Sequence, residues 1–401
     1  MTVVAHPAVT AGEPPVEALD QETFTLLLET IRTFVRDRLI PAEAEVDATD
    51  HVPADVVAEM KALGLYGLTI PSTYGGIGLT VGQSVRAFLE LCYAAPVFRS
   101  IVGINNGLAS WALVHMGTEV QRQRYLPRLA TGDLIGAFCL TEPDSGSDAG
   151  ALTTSARREG DAYLLNGTKR YITNAPDAGV FLVFARTDPA TSNAKGISAF
   201  LVERDSPGLI VGPPERKMGQ KGAHLSDVIF DDCRIPASAL LGPEHRGFAI
   251  AMEALDRGRL HIAAMCVALA ERLIDESVRY AMERQQFGKP IGEHQLVQAM
   301  LADSRAEAYA ARCMVLDAAE RADKGERVSL EASCAKMFAS EMVGRVADRA
   351  VQVHGGAGYI APCVAERLYR DVRIFRLYEG TTQIQQLIIA RELLRRHAAR
   401  A

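Results

Sequence analysis

Hydrophobic spacing divides the chain into a helical first third, a strand-rich middle third and a helical last third, and this order limits the fold more than any other feature. Apolar residues three or four positions apart predict amphipathic helices over residues 22–40, 54–63, 81–93 and 119–129. From about residue 134 to 242, short apolar or alternating runs lie between turn residues, which indicates an antiparallel sheet or a small barrel. After residue 247, four long helical patterns predict a bundle.

The predicted fold class is therefore α+β, with three consecutive domains. We expect a mobile leader over residues 1–20, an N-terminal helical domain over 21–133, a middle antiparallel β domain over 134–246 and a C-terminal four-helix bundle over 247–401. This order excludes a doubly wound fold. The glycine-rich run 355–358 is therefore not a dinucleotide-binding fingerprint, which must follow a strand and open a helix.

Single residues refine these elements. Pro41 is expected to end the first helix, and Asn166-Gly167 beside strand-like runs is a strong hairpin signal. The C-terminal helices are predicted over residues 248–284, 292–323, 329–354 and 381–397. Only Gly258 interrupts the first of them, which is compatible with one continuous helix.

Composition narrows the class of protein. With 401 residues, 48% hydrophobic and 23% charged, the chain is not collagen-like, disordered or a small disulfide scaffold. A formal net charge of -6 argues against nucleic acid as the main partner. Seven scattered cysteines without a CxxC pair predict buried free thiols, and the lack of an HExxH motif or His/Cys cluster predicts no metal. No signal-peptide pattern or membrane-spanning run occurs, so we expect a soluble, cytoplasmic protein without membrane contact.

The segment 139–148, Cys-Leu-Thr-Glu-Pro-Asp-Ser-Gly-Ser-Asp, is the most informative motif. It combines a strand that is expected to end at Thr141 with a turn through Pro143, Ser145 and Gly146. Hydroxyls and backbone N–H groups converge in such a turn, which suits a phosphate or the edge of a flavin. A polar loop that only caps the strand is the alternative.

A second motif, residues 376–385, places Glu379 just before a predicted helix. Thr382 and Gln385 have the spacing of a capping box, and the positive end of a helix favours an ionised carboxylate. Beside the flexible Gly380, such a carboxylate can act as a general base. Alternatively, Glu379 only complements the helix dipole.

Five motifs in this order make the chain resemble the acyl-CoA dehydrogenase family from about residue 22 to 394. The motifs are residues 139–148, Tyr-Ile-Thr-Asn at 171–174, Glu-Arg-Gln-Gln-Phe-Gly-Lys at 283–289, Gln-Val-His-Gly-Gly at 352–356 and Tyr-Glu-Gly-Thr-Thr-Gln at 378–383. The resemblance implies a flavoenzyme with FAD between the β domain and the bundle.

By that resemblance, residues of one subunit contact the flavin, with Thr141 at its reactive edge. These residues are Phe138, Cys139, Leu140, Thr141, Ser147, Tyr171, Ile172, Thr173, Thr381, Thr382 and Gln383. A neighbouring subunit would hold the adenine and pyrophosphate end through Arg284, Gln286, Phe287, Gln295, Gln352, Val353, Gly355 and Gly356. This implies at least a dimer, and the family is usually tetrameric, as a dimer of dimers.

The resemblance also implies the reaction. Glu379 matches the base that removes the α-proton of an acyl-CoA, while flavin N5 accepts the β-hydride and a trans-2-enoyl-CoA forms. The Glu379 N–H and a flavin ribityl hydroxyl would stabilise the charge on the thioester carbonyl, and electron-transfer flavoprotein would reoxidise the flavin. Positions near the acyl-CoA match Ser147, Asp256, Arg259, Gly380 and Arg391.

Two positions differ from other members of the family. Some relatives carry the base at the position of Gly258, which cannot act here, so Glu379 is the sole candidate. Many relatives have Trp where this chain has Tyr171, and a Tyr still offers an aromatic wall beside the flavin.

The substrate is less defined, with short, medium or branched acyl chains expected. Arg99-Ser100 resembles a segment of glutaryl-CoA dehydrogenases in which an Arg binds the distal carboxylate. Alternatively, Arg99 points to solvent or forms an ion pair. Rival functions on the same fold are an acyl-CoA oxidase, an acyl-carrier-protein dehydrogenase, a flavin monooxygenase and a non-catalytic DNA-associated flavoprotein. The last of these would need a basic face.

Overall fold

The computed structural model describes residues 18–191 and 193–399, and its N-terminal part is helical. The helices are α1 (Gln21–Phe34), α2 (Ile40–Thr49), α3 (Ala54–Ala62), α4 (Val81–Leu91), α5 (Val97–Gly103), α6 (Leu108–Met116) and α7 (Glu119–Thr131). Thr80 and Gln83 form a capping box that starts α4, and Thr118 and Gln121 form one that starts α7. The predicted leader lies outside the described residues except for its last three positions.

Pro41 does not end the first helical stretch, contrary to the prediction. Between α1 and α2, Val35–Leu39 form a π-helical segment in which the Ile40 N–H donates to the Val35 carbonyl. This shift in hydrogen bonding places Pro41 in the first turn of α2, where its missing N–H is no loss. Asp50, with φ of 58°, ends α2.

The helices α5 and α6 were missing from the sequence prediction. Both are buried on nearly all sides. Their apolar residues therefore surround the helix instead of forming the stripe that reveals an amphipathic helix.

The middle part is an open eight-stranded sheet. Its strands are β1 (Gly136–Cys139), β2 (Ser155–Glu159), β3 (Ala162–Thr173), β4 (Val180–Arg186), β5 (Ile197–Glu203), β6 (Leu209–Val211), β7 (Leu225–Pro236) and β8 (Leu240–Leu241). The order is β6-β7-β3-β2-β4-β5-β8, with β1 beside β4. Most pairs are antiparallel as predicted, but β1 and β2 both run parallel to β4. The end strands β6 and β8 are very short and do not pair with each other, so the alternative of a small barrel is wrong.

Contrary to the prediction, Asn166-Gly167 is not the turn of a hairpin. It forms an irregularity inside β3. The pairing of β3 with β7 shifts between Leu165 and Gly167. The Asn166 side chain bonds with Asp232 on β7, at 3.0 Å to its carboxylate and 2.9 Å from its N–H. Gly167, with φ of 144°, lies so close to Thr154 that a Cβ would clash with it. An Asn-Gly pair thus marks a bulge here instead of a turn.

The C-terminal part contains the four long helices predicted and one that was missed. They are α8 (Gly247–Glu283), α9 (Gln295–Asp323), α10 (Ser329–His354), α11 (Val364–Val372) and α12 (Thr382–Ala398). A two-stranded hairpin of β9 (Gln285–Gln286) and β10 (Lys289–Pro290) separates α8 from α9. Helix α8 continues through Gly258 without interruption, and α11 was missed.

Shared hydrophobic cores hold the three parts together. One core joins the N-terminal helices to the C-terminal ones, with Phe88 of α4, Met265 of α8 and Val343 of α10 in one cluster. A second joins α6 and α7 to β4, β5 and the start of α8, and a third lies within the sheet. A site between these parts is therefore positioned by rigid packing on each side.

The seven cysteines are free, as predicted, but not all are buried. Cys313 is exposed, and Cys334 and Cys363 are half-buried. Within residues 18–191 and 193–399, no helix is both long and apolar enough to cross a bilayer.

Candidate active site

The loop after β1 is held by a buried glutamate. Strand β1 ends at Cys139, two residues before the predicted end at Thr141. The Glu142 carboxylate accepts from the Thr153 N–H at 2.7 Å and the Thr154 N–H at 2.9 Å, and it pairs with Lys169 Nζ at 2.7 Å. This carboxylate, which the sequence analysis missed, fixes the loop that carries the first motif.

Opposing effects act on the pKa of Glu142. Burial alone would raise this pKa, but the Lys169 ammonium and the surrounding donors lower it to about 2. Burial lowers the pKa of Lys169, and Glu142 opposes that lowering. Each of the two charges therefore depends on the other to remain ionised inside the protein.

The motif at residues 139–148 lies beside the motif at residues 171–174. The Arg170 N–H donates to the Thr141 carbonyl at 2.8 Å, and Lys169 Nζ donates to the Leu140 carbonyl at 3.2 Å. Tyr171 has a left-handed φ of 59° and is 57% exposed, and the Arg170 guanidinium lies 4.7 Å from its ring centre. An aromatic ring is thus held out of the sheet at a strained backbone position, as is common at functional sites.

The other predicted flavin contacts of these motifs differ in exposure. Cys139, Leu140 and Ile172 are buried, and Phe138 packs on Phe184 with ring centres 4.9 Å apart. Ser147 is exposed, and Thr141 and Thr173 are half-buried. A Cβ on Gly146 would meet no atom within 4 Å.

The Glu379 loop has two consecutive residues with positive φ, 52° at Glu379 and 88° at Gly380. The Gly380 carbonyl accepts hydrogen bonds from Lys336 Nζ at 2.7 Å and Gln385 Nε2 at 3.0 Å, and the Glu379 carbonyl accepts from Gln385 Nε2 at 3.1 Å. The helix α12 begins one residue earlier than the predicted capping box requires. Thr381 is its N-cap and accepts from the Ile384 N–H at 3.2 Å.

The residues after Glu379 therefore have different tasks from those predicted by the capping-box spacing. The Thr382 hydroxyl donates to Glu341 at 2.7 Å, and Gln385 reaches back to the loop carbonyls. Gln383 is exposed. These contacts fix the loop from α10 and α12 together.

Glu379 is half-buried as a residue, but one of its carboxylate oxygens is enclosed and unpaired among the described residues. Its Oε2 atom is shielded from solvent and has no hydrogen-bond partner within residues 18–191 and 193–399. Burial raises the pKa of Glu379, and the charges of Arg99, Lys336 and Arg259 partly oppose this rise. The pKa of Glu379 is thus shifted in the direction opposite to that of Glu142.

Gly258 on α8 faces this carboxylate. A Cβ at Gly258 would overlap Glu379 Oε2. The two positions at which the resemblance leads us to expect a base thus lie against each other in this chain.

Arg99 on α5 lies near the Glu379 carboxylate. Its side chain is 7% exposed, its Nε atom has no hydrogen-bond partner in the part of the chain that the structure describes, and its guanidinium lies 5.7 Å from the Phe88 ring centre. Gly103, the last residue of α5, lacks a side chain and so leaves the space that the guanidinium occupies. The solvent-pointing alternative for Arg99 does not apply.

The motif at residues 171–174 contacts α5, the helix that carries Arg99. The backbone of Asn174 has a φ of 64°, and its side chain donates to the Ile101 carbonyl at 3.3 Å. Ile101 follows Arg99 on the same helix. The Tyr171 loop, Arg99 and Glu379 therefore lie around one region between the sheet and the C-terminal helices.

The structure places the predicted acyl-CoA contacts in different surroundings. Arg259 is 4% exposed and pairs with Asp256, whose other oxygen accepts from the Ser329 hydroxyl at 2.6 Å. Arg391 is exposed on α12 and forms no ion pair within the described residues. Gly380 belongs to the Glu379 loop, and Ser147 to the loop after β1.

The cofactor contacts expected from a neighbouring subunit form a separate exposed group. Phe287 is 94% exposed at the tip of the β9–β10 hairpin, with its ring 5.8 Å from His294. The group consists of Arg284, Gln286, Phe287, Gln295, Gln352, Gly355 and Gly356, which are exposed, and Val353, which is buried. The stacked rings of Tyr280 and His354, 4.4 Å apart, join its two halves.

This group lies far from Glu379 in the same chain. Lys336, which contacts the Glu379 loop, and Gln352 are 16 residues apart on α10. A helix rises 1.5 Å per residue, so they are about 24 Å apart. This distance is compatible with the expectation that the group binds the cofactor of another subunit.

The residues of the motifs at 139–148 and 171–174 fit a flavin. An exposed aromatic ring at Tyr171, hydroxyls at Thr141 and Ser147, and open space at Gly146 lie together beside the carboxylate region. No cluster of three or more metal-ligating side chains occurs within the described ranges.

The sequence analysis missed Lys336 and Gln385 as site residues. Lys336 is the single charge in the small and apolar stretch Ala-Ser-Cys-Ala-Lys-Met-Phe-Ala, residues 332–339, which is a signal of a buried lysine. Nothing local connects it to Gly380, 44 residues later.

Comparisons with known proteins agree with this geometry. The family models of the acyl-CoA dehydrogenase N-terminal, middle and C-terminal domains match residues 21–133, 137–233 and 245–394. The human mitochondrial short-chain specific acyl-CoA dehydrogenase is 42% identical over 93% of this chain and 90% of its own length. The acryloyl-CoA reductase (NADH) of Anaerotignum propionicum is 42% identical over 92% of this chain and 94% of its own length.

Solved structures give the same result. Butyryl-CoA dehydrogenase from Megasphaera elsdenii has a TM-score of 0.90 at 34% identity, over 94% of this chain and 100% of that chain. A structure described under the electron transferring flavoprotein of Acidaminococcus fermentans has a TM-score of 0.90 at 38% identity, with the same coverage.

Proposed function

The chain belongs to the acyl-CoA dehydrogenase family and is an FAD-dependent oxidoreductase that acts on acyl-CoA, and we propose that Glu379 is the base of an α,β-dehydrogenation. The substrate is a short-, medium- or branched-chain acyl-CoA, and the product is a trans-2-enoyl-CoA. The observation that carries this proposal is the Glu379 carboxylate, whose Oε2 atom is buried and unpaired within the described residues.

The environment of Glu379 suits proton abstraction. A thioester α-proton is weakly acidic, and a base works best when its pKa lies near the working pH. Burial raises the pKa of Glu379 toward that range, while Arg99, Lys336 and Arg259 keep the ionised form accessible. An unpaired oxygen needs no other hydrogen bond to break before it accepts a proton.

The remaining parts act on the rest of the thioester. The Glu379 N–H donates no backbone hydrogen bond within the described part of the chain and is the proposed donor to the thioester carbonyl. FAD supplies the acceptor for the β-hydride. The half-buried Thr141 and the exposed Tyr171 would hold its ring beside this carboxylate.

We further propose electron-transfer flavoprotein as the electron acceptor. The likeness to a structure described under such a flavoprotein supports this partner. The similarity to an acryloyl-CoA reductase makes enoyl-CoA reduction by NADH the outcome to be tested against it. Flavin reduction by butyryl-CoA without flavin reduction by NADH supports dehydrogenation; the reverse pattern contradicts it. The cytoplasmic location stays a prediction.

A homotetramer, as a dimer of dimers, is the proposed assembly. Most of the large exposed apolar side chains lie in the C-terminal part, among them Met282, Phe287, Leu296, Tyr359, Ile360, Leu387 and Leu394. Such a surface is typical of a subunit interface. Light scattering of the FAD-loaded protein should give about four times 43.3 kDa, and a monomer would contradict the proposal.

The base assignment is tested by Glu379→Gln. This variant should remain yellow with bound FAD, and its bleaching by butyryl-CoA under anaerobic conditions should slow by about 10³-fold or more. The matched control is Glu29→Gln, which changes an exposed glutamate on α1 and should bleach like the parent protein. Bleaching of Glu379→Gln at the parent rate would overturn the assignment.

A second candidate substrate is a dicarboxylic acyl-CoA, favoured by Arg99. This buried guanidinium forms no ion pair within the described residues and lies near Glu379. A carboxylate at the end of an acyl chain would supply the missing partner. The test is Arg99→Met with butyryl-CoA and glutaryl-CoA: a loss of affinity for glutaryl-CoA alone supports this candidate, and an equal effect on both contradicts it.

A further inference from the structure

Lys336 is a fully buried lysine beside the candidate base. It lies on α10 with 0% exposure, and its Nζ atom donates to the Gly380 carbonyl at 2.7 Å. Within residues 18–191 and 193–399, no carboxylate lies within ion-pair distance of Nζ. The hydrogen bond to Gly380 is thus its one polar contact in the described chain.

A buried ammonium without an ionic partner lowers the stability of the folded protein. An isolated charge is far less stable inside a protein than in water, and an apolar side chain of similar volume usually fits better. Lys169, the comparable buried lysine in the sheet, is neutralised by direct pairing with Glu142. Lys336 has no such partner, so its charge has no evident role in stability.

The contact partner of Lys336 indicates a role in the site. Glu379 and Gly380 both have positive φ, and both of their carbonyls accept side-chain hydrogen bonds. Lys336 from α10 and Gln385 from α12 bind those carbonyls from two sides. The Glu379 backbone is therefore held in a strained conformation by two buried donors.

We propose that Lys336 is a positioning residue that fixes the Glu379 loop through the Gly380 carbonyl and favours the ionised Glu379 carboxylate by its charge. This inference rests on the proposed role of Glu379 as the base. It assigns to α10 a part in the reaction although no atom of Lys336 needs to touch the substrate.

The charges around these two groups set the expected pH dependence. Glu379 faces Arg99 from α5, Arg259 from α8 and Lys336 from α10. Lys336 faces Cys266 and Arg259 from α8, Glu341 on its own helix, and Glu379. Burial lowers the pKa of Lys336 to about 8, so it is cationic at neutral pH. Removing that cation should raise the pKa of Glu379 and move the rising part of the pH–rate profile to higher pH.

The test is Lys336→Met in the FAD-loaded protein, with flavin reduction by butyryl-CoA followed by anaerobic stopped-flow from pH 6 to 9. We expect the rate at pH 7 to fall about tenfold or more, and the rising limb to move up by about one pH unit. The dissociation constant for butyryl-CoA should change less than about threefold. The control is Arg345→Met, which removes an exposed charge from the same helix and should leave the limb in place.

Two further variants keep the test decisive. Lys336→Gln retains a donor without the charge, so it should shift the limb like Lys336→Met but lose less rate, and it replaces Lys336→Met if that variant does not fold. If the rising limb of the pH–rate profile lies at the same pH in the folded variants as in the parent protein, the inference is overturned. If Glu379→Gln is inactive in the same assay while the limb does not move, only the role of Lys336 fails. If Glu379→Gln is active, the proposed function itself fails.

Discussion

Two glutamates with a buried carboxylate oxygen, each with a buried lysine nearby, show how differently the same residue types are used in two regions of this protein. Glu142 pairs with Lys169 at 2.7 Å and accepts two backbone N–H groups. Glu379 has an unpaired buried oxygen, and Lys336 binds the neighbouring Gly380 carbonyl instead of the carboxylate. The first carboxylate has its pKa lowered to about 2, and the second has its pKa raised.

The difference in hydrogen bonding suits the two carboxylates to different roles, one structural and one chemical. A carboxylate that is fully hydrogen-bonded is stable in its ionised form and is a poor proton acceptor, so Glu142 suits an anchor. A carboxylate that is buried but incompletely bonded is less stable and more basic, so Glu379 suits a base. The lysine follows the same division, since Lys169 neutralises its glutamate and Lys336 holds the backbone of its glutamate in place.

The largest expected effect is on stability, from Glu142→Gln. This variant leaves Lys169 buried without a counter-charge, which should lower the free energy of unfolding by about 3–5 kcal/mol. Denaturant unfolding of the FAD-loaded protein at pH 7 measures this, with Glu29→Gln as the exposed control. A loss below about 1 kcal/mol would remove the contrast between the two glutamates.

The pH dependence of stability should reflect the same carboxylate. The pKa of Glu142 is about 2 in the folded protein, against an ordinary value of 4.5 for a glutamate. Its contribution is therefore present above about pH 4.5 and lost as the pH falls toward 2, by about 3 kcal/mol at most. Unfolding curves from pH 5 to 3 should decline more steeply for the parent than for Glu142→Gln, and parallel curves would argue against this role.

A smaller effect is expected from Gly258→Ala. The added methyl group overlaps Glu379 Oε2 and should displace the carboxylate, while Ala adds about 1 kcal/mol of helix propensity to α8. We expect flavin reduction to slow about tenfold and stability to stay within about 1 kcal/mol. A parent-like reduction rate would show that the position of this carboxylate is not critical. The control Gly344→Ala lies on α10, where a Cβ meets only ordinary contacts.

Sequence motifs predicted the polar elements of this site better than its supports. Tyr171 and Glu379 stand in recognisable motifs, and the helix–sheet–helix order follows from hydrophobic spacing. The lysines that support the site contact residues 27 and 44 positions away, at Glu142 and Gly380, so no local pattern reveals the pairs. For the same reason Asn166-Gly167 was assigned to a hairpin, because its pairing with Asp232 on a distant strand cannot be seen locally.

The most direct test compares Glu379→Gln and Glu142→Gln in two assays on the FAD-loaded protein: anaerobic bleaching by butyryl-CoA and denaturant unfolding. Glu379→Gln should lose bleaching by about 10³-fold or more and unfold at the same or a higher denaturant concentration, because it removes a buried and incompletely bonded charge. Glu142→Gln should unfold at a clearly lower concentration. Parent-rate bleaching by Glu379→Gln would contradict the assignment of the base.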